Sequence, residues 1–370
     1  MSSIPSWIAA ALLLAVTAHG ASATRLQDPP VPARETIRFV DVYGLRSLER
    51  EAVLETLDVR VGDTLEVDRD AAVARLRALE CVDDAVVILM AQPGNAGLLV
   101  GVKELGSPRL KLRERPDVGI TLPAAIHEAY QGSLDESLKG MYEGVFGAEV
   151  HDGYELSLYG PAREHEERLV ELAGTHAALL QAVLRLAVSD QERAVAAHAL
   201  AYLGDKQVVG AELSRAITDP SPSVRNNAVR ALTVLAEWCS TSGLEPPSVD
   251  QDALILMLDS LDWTDRNKAS ALLSVLSLGR PPELLDALRA RALPALEEMA
   301  LWSSRGHAEF AMRVLYRLAG YPEADFEEVR ARFRSMERVE AEAWVRDALR
   351  RARADEDDAP GEQREAREPG

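Results

Sequence analysis

The spacing of hydrophobic residues divides the chain into two kinds of predicted structure. Between residues 36 and 105, apolar residues follow strand-like and then helix-like spacing, in the order strand, helix, helix, strand, strand. From residue 166 to 320, apolar residues recur at helical spacing and predict consecutive helices. We therefore predict an α+β N-terminal domain followed by an all-α region, in a chain that is mostly helical. The predicted elements of the first domain are 37–42, 48–57, 68–79, 82–90 and 98–104.

The second predicted strand, Val82–Met90, is apolar on both faces over its last six residues. A strand with one face in water usually alternates apolar and polar residues, so we expect both faces of this strand to be covered. The cover is either a later part of this chain or a binding partner, since a long apolar edge left open promotes aggregation. The candidate partner-binding residues are Val82, Ala85, Val86, Val87, Ile88, Leu89 and Met90.

One pattern of residues recurs in the helical region. Arg193, Arg225 and Arg266 are each followed by an alanine three positions later and by a leucine seven positions after that. The intervals of 32 and 41 residues between these arginines predict helical hairpins that stack into one core. Asp219 opens an Asp-Pro-Ser-Pro segment, a combination suited to capping a new helix whose first turn accepts proline.

Residues 37–104 resemble a POTRA (polypeptide-transport-associated) domain. The likeness lies in the order and length of the elements, in the loop at residues 60–63 and in the acidic end of the last strand at Glu104. In that family the strand that matches Val82–Met90 is an edge strand to which an extended peptide adds. The chain departs from the family at residues 80–82, where a glycine and an aromatic residue are usual.

Residues 166–320 resemble HEAT repeats, and the segment that begins at Asp219 resembles the motif between the two helices of such a repeat. In that family the recurring arginine of one repeat meets the aspartate of the next. The resemblance therefore implies structural roles for Arg193, Arg225, Arg266 and Asp219. It also implies an α-solenoid that binds a second protein.

The first 23 residues have the pattern of a signal peptide. An apolar run from Trp7 to Ala18 precedes Ala21-Ser22-Ala23, whose small residues predict cleavage after Ala23. An uncleaved N-terminal anchor is the alternative. Residues 24–35 are predicted to be a linker, and we expect export to the periplasm or cell envelope.

Three further segments are less regular. Residues 106–165 are predicted to form a connecting subdomain with a short helix at Asp135–Tyr142 and a strand at Glu155–Tyr159. The aromatic residues that gather in this segment form either a small core or a contact surface. Residues 321–353 are predicted to be a terminal helical cap, and residues 354–370, which contain no large apolar residue, a disordered tail.

Composition and motifs limit the chemistry. The formal net charge of −19 argues against nucleic acid and against anionic lipid, so we expect any membrane association to run through a protein partner. Cys81 and Cys239 either form a disulfide in an oxidising compartment or remain free thiols. The spacing of His151, His165 and His176 does not match a zinc signature, and no motif of a known catalytic or phosphate-binding class occurs. We therefore predict no catalytic residue, no cofactor and no metal.

These observations favour a non-enzymatic scaffold or adaptor protein of the bacterial envelope. Its edge strand is expected to bind polypeptide or a membrane-protein complex, and its solenoid a second protein. Substitution of Val87 or Ile88 by proline is predicted to remove a backbone donor and to weaken partner binding. The alternative is a HEAT-like enzyme or cofactor-handling protein, similar to chromophore lyases, carried on an envelope-targeting domain.

Overall fold

A computed structural model describes residues 35–90 and 96–357. The predicted signal peptide, nearly all of the predicted linker and the predicted turn between the last two strands lie outside the described residues. The chain divides into two compact units with the boundary between Leu276 and Ser277, and each unit is described by itself. The described residues are mostly helical and include a small mixed sheet.

The N-terminal part of the first unit has the element order that the hydrophobic pattern predicts. Its three strands form a sheet in the order β1-β3-β2, with β1 parallel and β2 antiparallel to the central β3. Two helices lie between β1 and β2 in sequence. The elements are β1 (Phe39–Tyr43), α1 (Arg50–Leu57), α2 (Arg69–Arg77), β2 (Val82–Met90) and β3 (Gly97–Glu104).

Helices α1 and α2 cover one face of this sheet. Val53, Leu57 and Leu76 are fully buried and share a core with alternate residues of the strands, among them Leu98 and Val100. The alternation arises because successive side chains of a strand point to opposite faces. The opposite face of the sheet is therefore formed by the other set of strand residues.

The segment predicted as a connecting subdomain is more regular than its sequence indicates. Residues 105–123 form an extended connector, after which helix α3 (Ala124–Tyr142) and the hairpin β4 (Ala148–His151) and β5 (Tyr154–Ser157) follow. The predicted short helix is the C-terminal part of α3, which begins eleven residues earlier than predicted. The hairpin turn has Asp152 and Gly153 at positive φ of 43° and 81°, the pattern of a tight two-residue turn.

Helix α4 (Gly160–Leu186) is 27 residues long and is kinked at His176, where φ is −114° and ψ is 21°. By length and composition alone it is the one helix of the described residues that could cross a membrane. Its apolar residues Leu169, Leu180 and Val183 are buried where α4 packs against α3 and the following helix. One face of α4 is therefore buried within the first unit.

The remainder of the first unit consists of helices that follow one another through short turns. Helix α7 packs against α5, α6 and α9, so the apolar faces of several hairpins share one core. Asp205 and Asp250 cap helices α6 and α8 by accepting hydrogen bonds from backbone amides, and Pro222 opens α7. These helices are α5 (Asp190–Leu200), α6 (Lys206–Ala216), α7 (Pro222–Ser242), α8 (Gln251–Met257) and α9 (Trp263–Leu276).

The second unit is helical, with a core that includes Phe310, Tyr316 and Phe333. The range predicted for the repeats, 166–320, spans the boundary between the two units. The predicted disordered tail begins too early, because the last helix continues to Asp357. The elements are α10 (Pro282–Arg291), α11 (Leu293–Ala300), α12 (Arg305–Leu318), a short 3₁₀ turn (Glu323–Asp325), α13 (Phe326–Ser335) and α14 (Arg338–Asp357).

Candidate functional site

All seven predicted partner-binding residues lie in β2, which forms one edge of the three-stranded sheet. Ala85 and Val87, with exposed fractions of 3% and 5%, point into the core under α1 and α2. Val86, Ile88 and Met90 belong to the opposite face, where all three are half-buried. The apolar run on both faces thus has one face that is largely covered and one face that is partly open. The two remaining candidates are Val82, which is buried, and Leu89, which packs partly buried against the same core.

The direction of the backbone groups in β2 follows from the neighbouring strands. The Arg38 N–H donates to the Ala96 carbonyl at 2.8 Å, so the backbone groups of Ala96 and of every second residue after it face β1. The intervening residues of β3, such as Leu99, face β2, and Leu99 is the partner of Ile88. The N–H and C=O groups of Ala85, Val87 and Leu89 therefore point away from the sheet.

Few of these outward groups have a partner. The Asp84 carboxylate accepts a hydrogen bond of 2.8 Å from the Ala85 N–H. Among the described residues, no backbone hydrogen bond reaches the outward groups of Val87 or Leu89. This geometry corrects part of the proline prediction, because Ile88 donates within the sheet and a proline there would disrupt β2 itself.

On the other side of the sheet, the residues just ahead of β1 pair with a later part of the chain. The Ile37 N–H donates to the Asp63 carbonyl and the Gly62 N–H to the Ile37 carbonyl, both at 2.8 Å. The Arg50 guanidinium also donates to the Val40 carbonyl at 2.8 Å. Covering an edge in this way is a common protection against unwanted strand pairing, and here it lies ahead of the strand itself.

Part of the open face of the sheet packs on the segment between helices α8 and α9 and on α9 itself. The Tyr43 hydroxyl donates to the Leu261 carbonyl at 2.9 Å, and the Arg266 guanidinium lies over the Tyr43 ring at 4.9 Å. The Lys103 ammonium donates to the Asp259 carbonyl at 2.8 Å, and burial lowers the pKa of Lys103 to about 8. Later residues of the chain thus cover this face near β1 and β3, while its β2 side stays partly exposed.

The carboxylate of Glu104 holds the loop between β1 and α1. It accepts hydrogen bonds from the backbone amides of Arg46, Ser47 and Leu48 at 2.6, 3.0 and 3.1 Å. Burial by itself would raise the pKa of Glu104, but the hydrogen bonds from the Ser47 hydroxyl and the three amides outweigh burial and hold that pKa below its usual value. The acidic residue that closes the last strand is therefore structural.

The extended connector, residues 105–123, lies against the turns that follow helices α4 and α6. The Arg113 N–H donates to the Thr218 carbonyl at 2.8 Å, and the Val118 N–H donates to the Leu186 carbonyl at 3.0 Å. The Arg113 guanidinium also forms an ion pair with Asp219. These contacts fix the connector against the helices of the first unit. Within this unit, the sheet domain and the helices therefore pack together.

The recurring arginines lie near the starts of helices α5, α7 and α9, and their guanidinium groups reach back to the turns that precede these helices. Arg193 makes two hydrogen bonds of 2.9 Å to the Asp219 carboxylate, and Arg225 pairs with Asp265 at 2.7 Å, with all four side chains buried. Burial would raise the pKa of Asp219, but hydrogen bonds led by the one from Arg193 hold it below the usual value. The third arginine, Arg266, instead donates to the Ser260 carbonyl at 2.6 Å and stacks on the N-terminal sheet as described above.

A small polar cavity of about 30 Å³ lies beneath the β4–β5 turn. The Arg230 guanidinium donates to the Glu155 carboxylate at 2.9 Å, and the Nε2 atom of His198 has no hydrogen-bond partner among the described residues. Burial, and then the charge of Arg230, lowers the pKa of His198 to about 3, so its imidazole is neutral. The lining also includes Tyr154, Tyr202 and Asn227.

Two further ionisable groups are buried close to this cavity. Burial raises the pKa of Glu166 to about 7, against the effect of the hydrogen bond that its carboxylate accepts from the Ser157 amide at 2.5 Å. Burial also lowers the pKa of Lys268 to about 7. A cavity of this volume holds roughly two water molecules, whereas pockets for drug-sized ligands measure about 300–1,000 Å³. The arrangement suits buried water.

Sequence patterns did not reveal this cavity, because its residues come from the hairpin and from helices far apart in the chain. The described residues contain no group of histidine, cysteine and acidic residues that could hold a metal ion. Cys81 and Cys239 are both free thiols, the second one buried. No protein-family model matches the chain, and no curated protein matches its sequence.

Proposed function

We propose that this chain is an exported, non-enzymatic interaction protein of the bacterial envelope whose strand β2 binds an extended polypeptide segment. One observation carries the proposal: β2 is an edge strand whose outward backbone groups at Val87 and Leu89 have no backbone partner among the described residues. The POTRA-like order of the elements supports the same role, since strand addition is the binding mode of that family.

The geometry of β2 suits strand addition in two ways. Its outward N–H and C=O groups supply main-chain hydrogen bonds, each of which contributes about 0.5–1.5 kcal/mol to binding or stability. The half-buried side chains of Val86, Ile88 and Met90 supply an apolar surface for alternate side chains of the added strand. Specificity would then come from that surface, and affinity largely from the backbone.

The HEAT-like repeats are the second part of the proposal. Buried Arg–Asp pairs such as Arg193–Asp219 hold successive turns of the repeats in register, which leaves the helix surfaces available for a second protein. The cavity of about 30 Å³ is far too small to hold a chromophore, so it gives no support to the cofactor-handling alternative.

Photo-crosslinking tests the role of the edge strand. A photoreactive benzophenone amino acid at Met90, on the partly open face of β2, is expected to form a covalent adduct with a polypeptide in the envelope fraction. Leu89→Pro removes one outward N–H and should abolish the adduct, while the sheet keeps its hydrogen bonds to β3. Leu89→Ala is the matched control, since it shortens the same side chain but keeps the N–H.

Equal adduct yields from Leu89→Pro and Leu89→Ala would refute strand addition at β2. Far-UV circular dichroism of both variants is needed to show that the fold is retained.

Export is tested separately, by N-terminal sequencing of the protein from fractionated cells. We expect a mature product in the periplasmic or envelope fraction that begins at Thr24. A full-length chain found only in the cytosol would contradict this part of the proposal and leave the edge-strand result to be judged on its own.

A further inference from the structure

The polar cavity beneath the β4–β5 turn is lined by two side chains that have unpartnered polar atoms. The Arg230 guanidinium, on α7, uses Nη2 for its bond to Glu155, and its Nε–H has no hydrogen-bond partner among the described residues. The Nε2 atom of His198, on α5, likewise has none there, and this residue is only 7% exposed. Buried polar atoms are nearly always hydrogen-bonded, so two such side chains at one cavity point to a ligand that bonds to both.

Aromatic rings hold His198 in place beside the cavity. The His198 ring lies edge-on to the Tyr130 ring with centroids 4.8 Å apart, and its centroid is 5.6 Å from that of Tyr202. Tyr130 and Tyr154, two of the aromatic residues that gather in residues 106–165, therefore belong to the core around this cavity. The neutral His198 imidazole carries one N–H, so it can donate to an anion when Nε2 holds the proton.

A second buried cation lies close to Arg230. Lys268, on α9, is fully buried, and burial followed by the charge of Arg230 lowers its pKa to about 7, whereas the charge of Glu155 raises it. Two like charges that are held close together in the interior repel each other strongly, because the local dielectric constant is low. A negative charge in the cavity that Arg230 lines would reduce this repulsion. The electrostatics therefore favour an anion over a neutral ligand.

The size of the cavity limits this anion to a few atoms. The cavity volume of about 30 Å³ is the space of roughly two water molecules. Chloride, which is close to a water molecule in size, fits this space, and so does a small planar monovalent anion such as formate. Larger organic anions need pockets of several times this volume.

We propose that the cavity beneath the β4–β5 turn binds one small monovalent anion, such as chloride, through the Arg230 Nε–H and the His198 Nε2 atom. Because Arg230 also bonds to Glu155 of β5, the bound anion would strengthen the attachment of the hairpin to helices α5 and α7. Water is the competing occupant, and it differs from an anion because it adds no negative charge beside Arg230 and Lys268. The proposal does not depend on the proposed function of β2.

The ionisable groups around the cavity should make anion binding stronger at lower pH. As the pH falls through about 7, Lys268 gains its positive charge and Glu166 loses its negative charge, and both changes favour an anion. Burial lowers the pKa of Lys206 to about 8, so this group changes in the same direction. The other ionisable side chains on the elements around the cavity are Tyr130, Asp152, Tyr154, Glu155, Arg163, Glu167, His198, Tyr202 and Arg230.

Urea unfolding of the signal-cleaved protein at pH 6 tests the proposal, with sodium gluconate replaced stepwise by sodium chloride at constant ionic strength. Gluconate is too large for the cavity, so it serves as the reference salt. An anion that binds only the folded chain lowers the equilibrium constant for unfolding, by about tenfold when its concentration is roughly nine times the dissociation constant. We expect this chloride effect at pH 6 and a smaller one at pH 8. An equal effect at both pH values would overturn the charge argument on which the proposal rests.

Three variants locate the effect. Lys268→Met removes one of the two buried cations and should lose most of the chloride response. His198→Phe removes the Nε2 atom but keeps a ring beside Tyr130 and Tyr202, and it should weaken the response as well. Lys206→Met is the matched control and should respond like the original chain, since the Lys206 ammonium lies over the Tyr154 ring at 4.7 Å, outside the cavity lining.

A crystal of the original chain grown in sodium bromide tests the position of the ion without any substitution. We expect an anomalous peak within hydrogen-bond distance of the Arg230 Nε atom. Identical unfolding in chloride and gluconate would show that the cavity holds water only, and a bromide peak without the solution effect would be an adventitious ion only. Either result overturns the proposal, as does a full chloride response in both His198→Phe and Lys268→Met, which would place the ion elsewhere.

Discussion

Replacement of Glu166 by glutamine should stabilise the protein above neutral pH. Glu166 is only 7% exposed, and its carboxylate accepts a hydrogen bond from the Ser157 amide. Burial and the nearby Glu155 charge raise its pKa from 4.5 to about 7, against opposing effects of the Ser157 hydrogen bond and of Arg230. The folded protein therefore holds a proton on Glu166 at pH values where the unfolded chain has lost it.

The sign and size of the effect follow from this difference in proton binding. Because the pKa of Glu166 is raised in the folded state, its carboxyl contributes its full stabilisation of the folded state below pH 4.5. This stabilisation is lost as the pH rises through about 7. A difference of this size corresponds to ~3 kcal/mol of unfolding free energy. Glutamine cannot ionise, and its carbonyl oxygen is still able to accept from the Ser157 N–H. Glu166→Gln should thus be up to ~3 kcal/mol more stable than the original chain at pH 8 and similar to it at pH 4.5.

Urea unfolding of the signal-cleaved protein at a series of pH values measures this difference. The titration of His198 affects the original chain and the variant alike, so it cancels in the comparison. Glu164→Gln is the matched control, because Glu164 is exposed on the same helix and its replacement should change stability little at any pH. A variant that is less stable than the original chain at pH 8 would show that a charged carboxylate is required at position 166. An equal change in stability at both pH values would show that the raised pKa of Glu166 is not the cause.

Three further predictions concern the turns and the edge strand. Asp219→Ala leaves the buried Arg193 without its carboxylate partner and should destabilise the protein by about 3–5 kcal/mol in urea unfolding. Tyr43→Phe removes the hydrogen bond from the sheet to the repeats and should lower stability by ~1 kcal/mol in the same assay. Asp84→Ala frees the outward N–H of Ala85 and should increase concentration-dependent aggregation measured by light scattering.

Each of these predictions has a control and a contradicting result. Glu245→Ala on an exposed loop should leave the urea midpoint almost unchanged, and a similar small effect from Asp219→Ala would contradict the structural role of the pair. An unchanged stability of Tyr43→Phe would mean that water replaces the lost bond. Arg77→Ala removes the ion pair of Asp84 but keeps its bond to the backbone, so only Asp84→Ala should aggregate more.

The N-terminal domain was predictable because its signals are local. Asp68 caps α2 where the pattern places the start of a helix, by accepting a hydrogen bond from the Ala71 N–H. Gly44 has a positive φ of 87°, and a Cβ at that position would lie 2.0 Å from the Val102 carbonyl oxygen, so only glycine fits the turn after β1. The helix cap depends on neighbouring residues in sequence and can be read from it, and a glycine at the end of a strand indicates a turn even though its close contact, Val102, is distant in sequence.

The connector and the buried cavity were not predictable in the same way. The hydrophobic residues of the connector show no helical or strand-like periodicity. Its backbone instead bonds to turns between distant helices, for example from the Arg113 N–H to the Thr218 carbonyl. The recurring arginines were visible as a pattern, yet the partner of Arg225, Asp265, was not identified. The carboxylate that pairs with each arginine can be identified only when helices that are distant in sequence are placed side by side.

The way the chain treats its sheet gives the strongest reason to regard β2 as a binding edge. The same polypeptide pairs the residues ahead of β1 with its own backbone and covers the face near β1 and β3 with the turn before α9. At β2, the irregular pairing between Val82 and Asp84 and the Asp84–Ala85 hydrogen bond restrict access at the N-terminal end of the strand. The stretch Val86–Met90 contains the outward groups of Val87 and Leu89, which have no backbone partner among the described residues, and it suits an added segment of about five residues, the usual length of a strand.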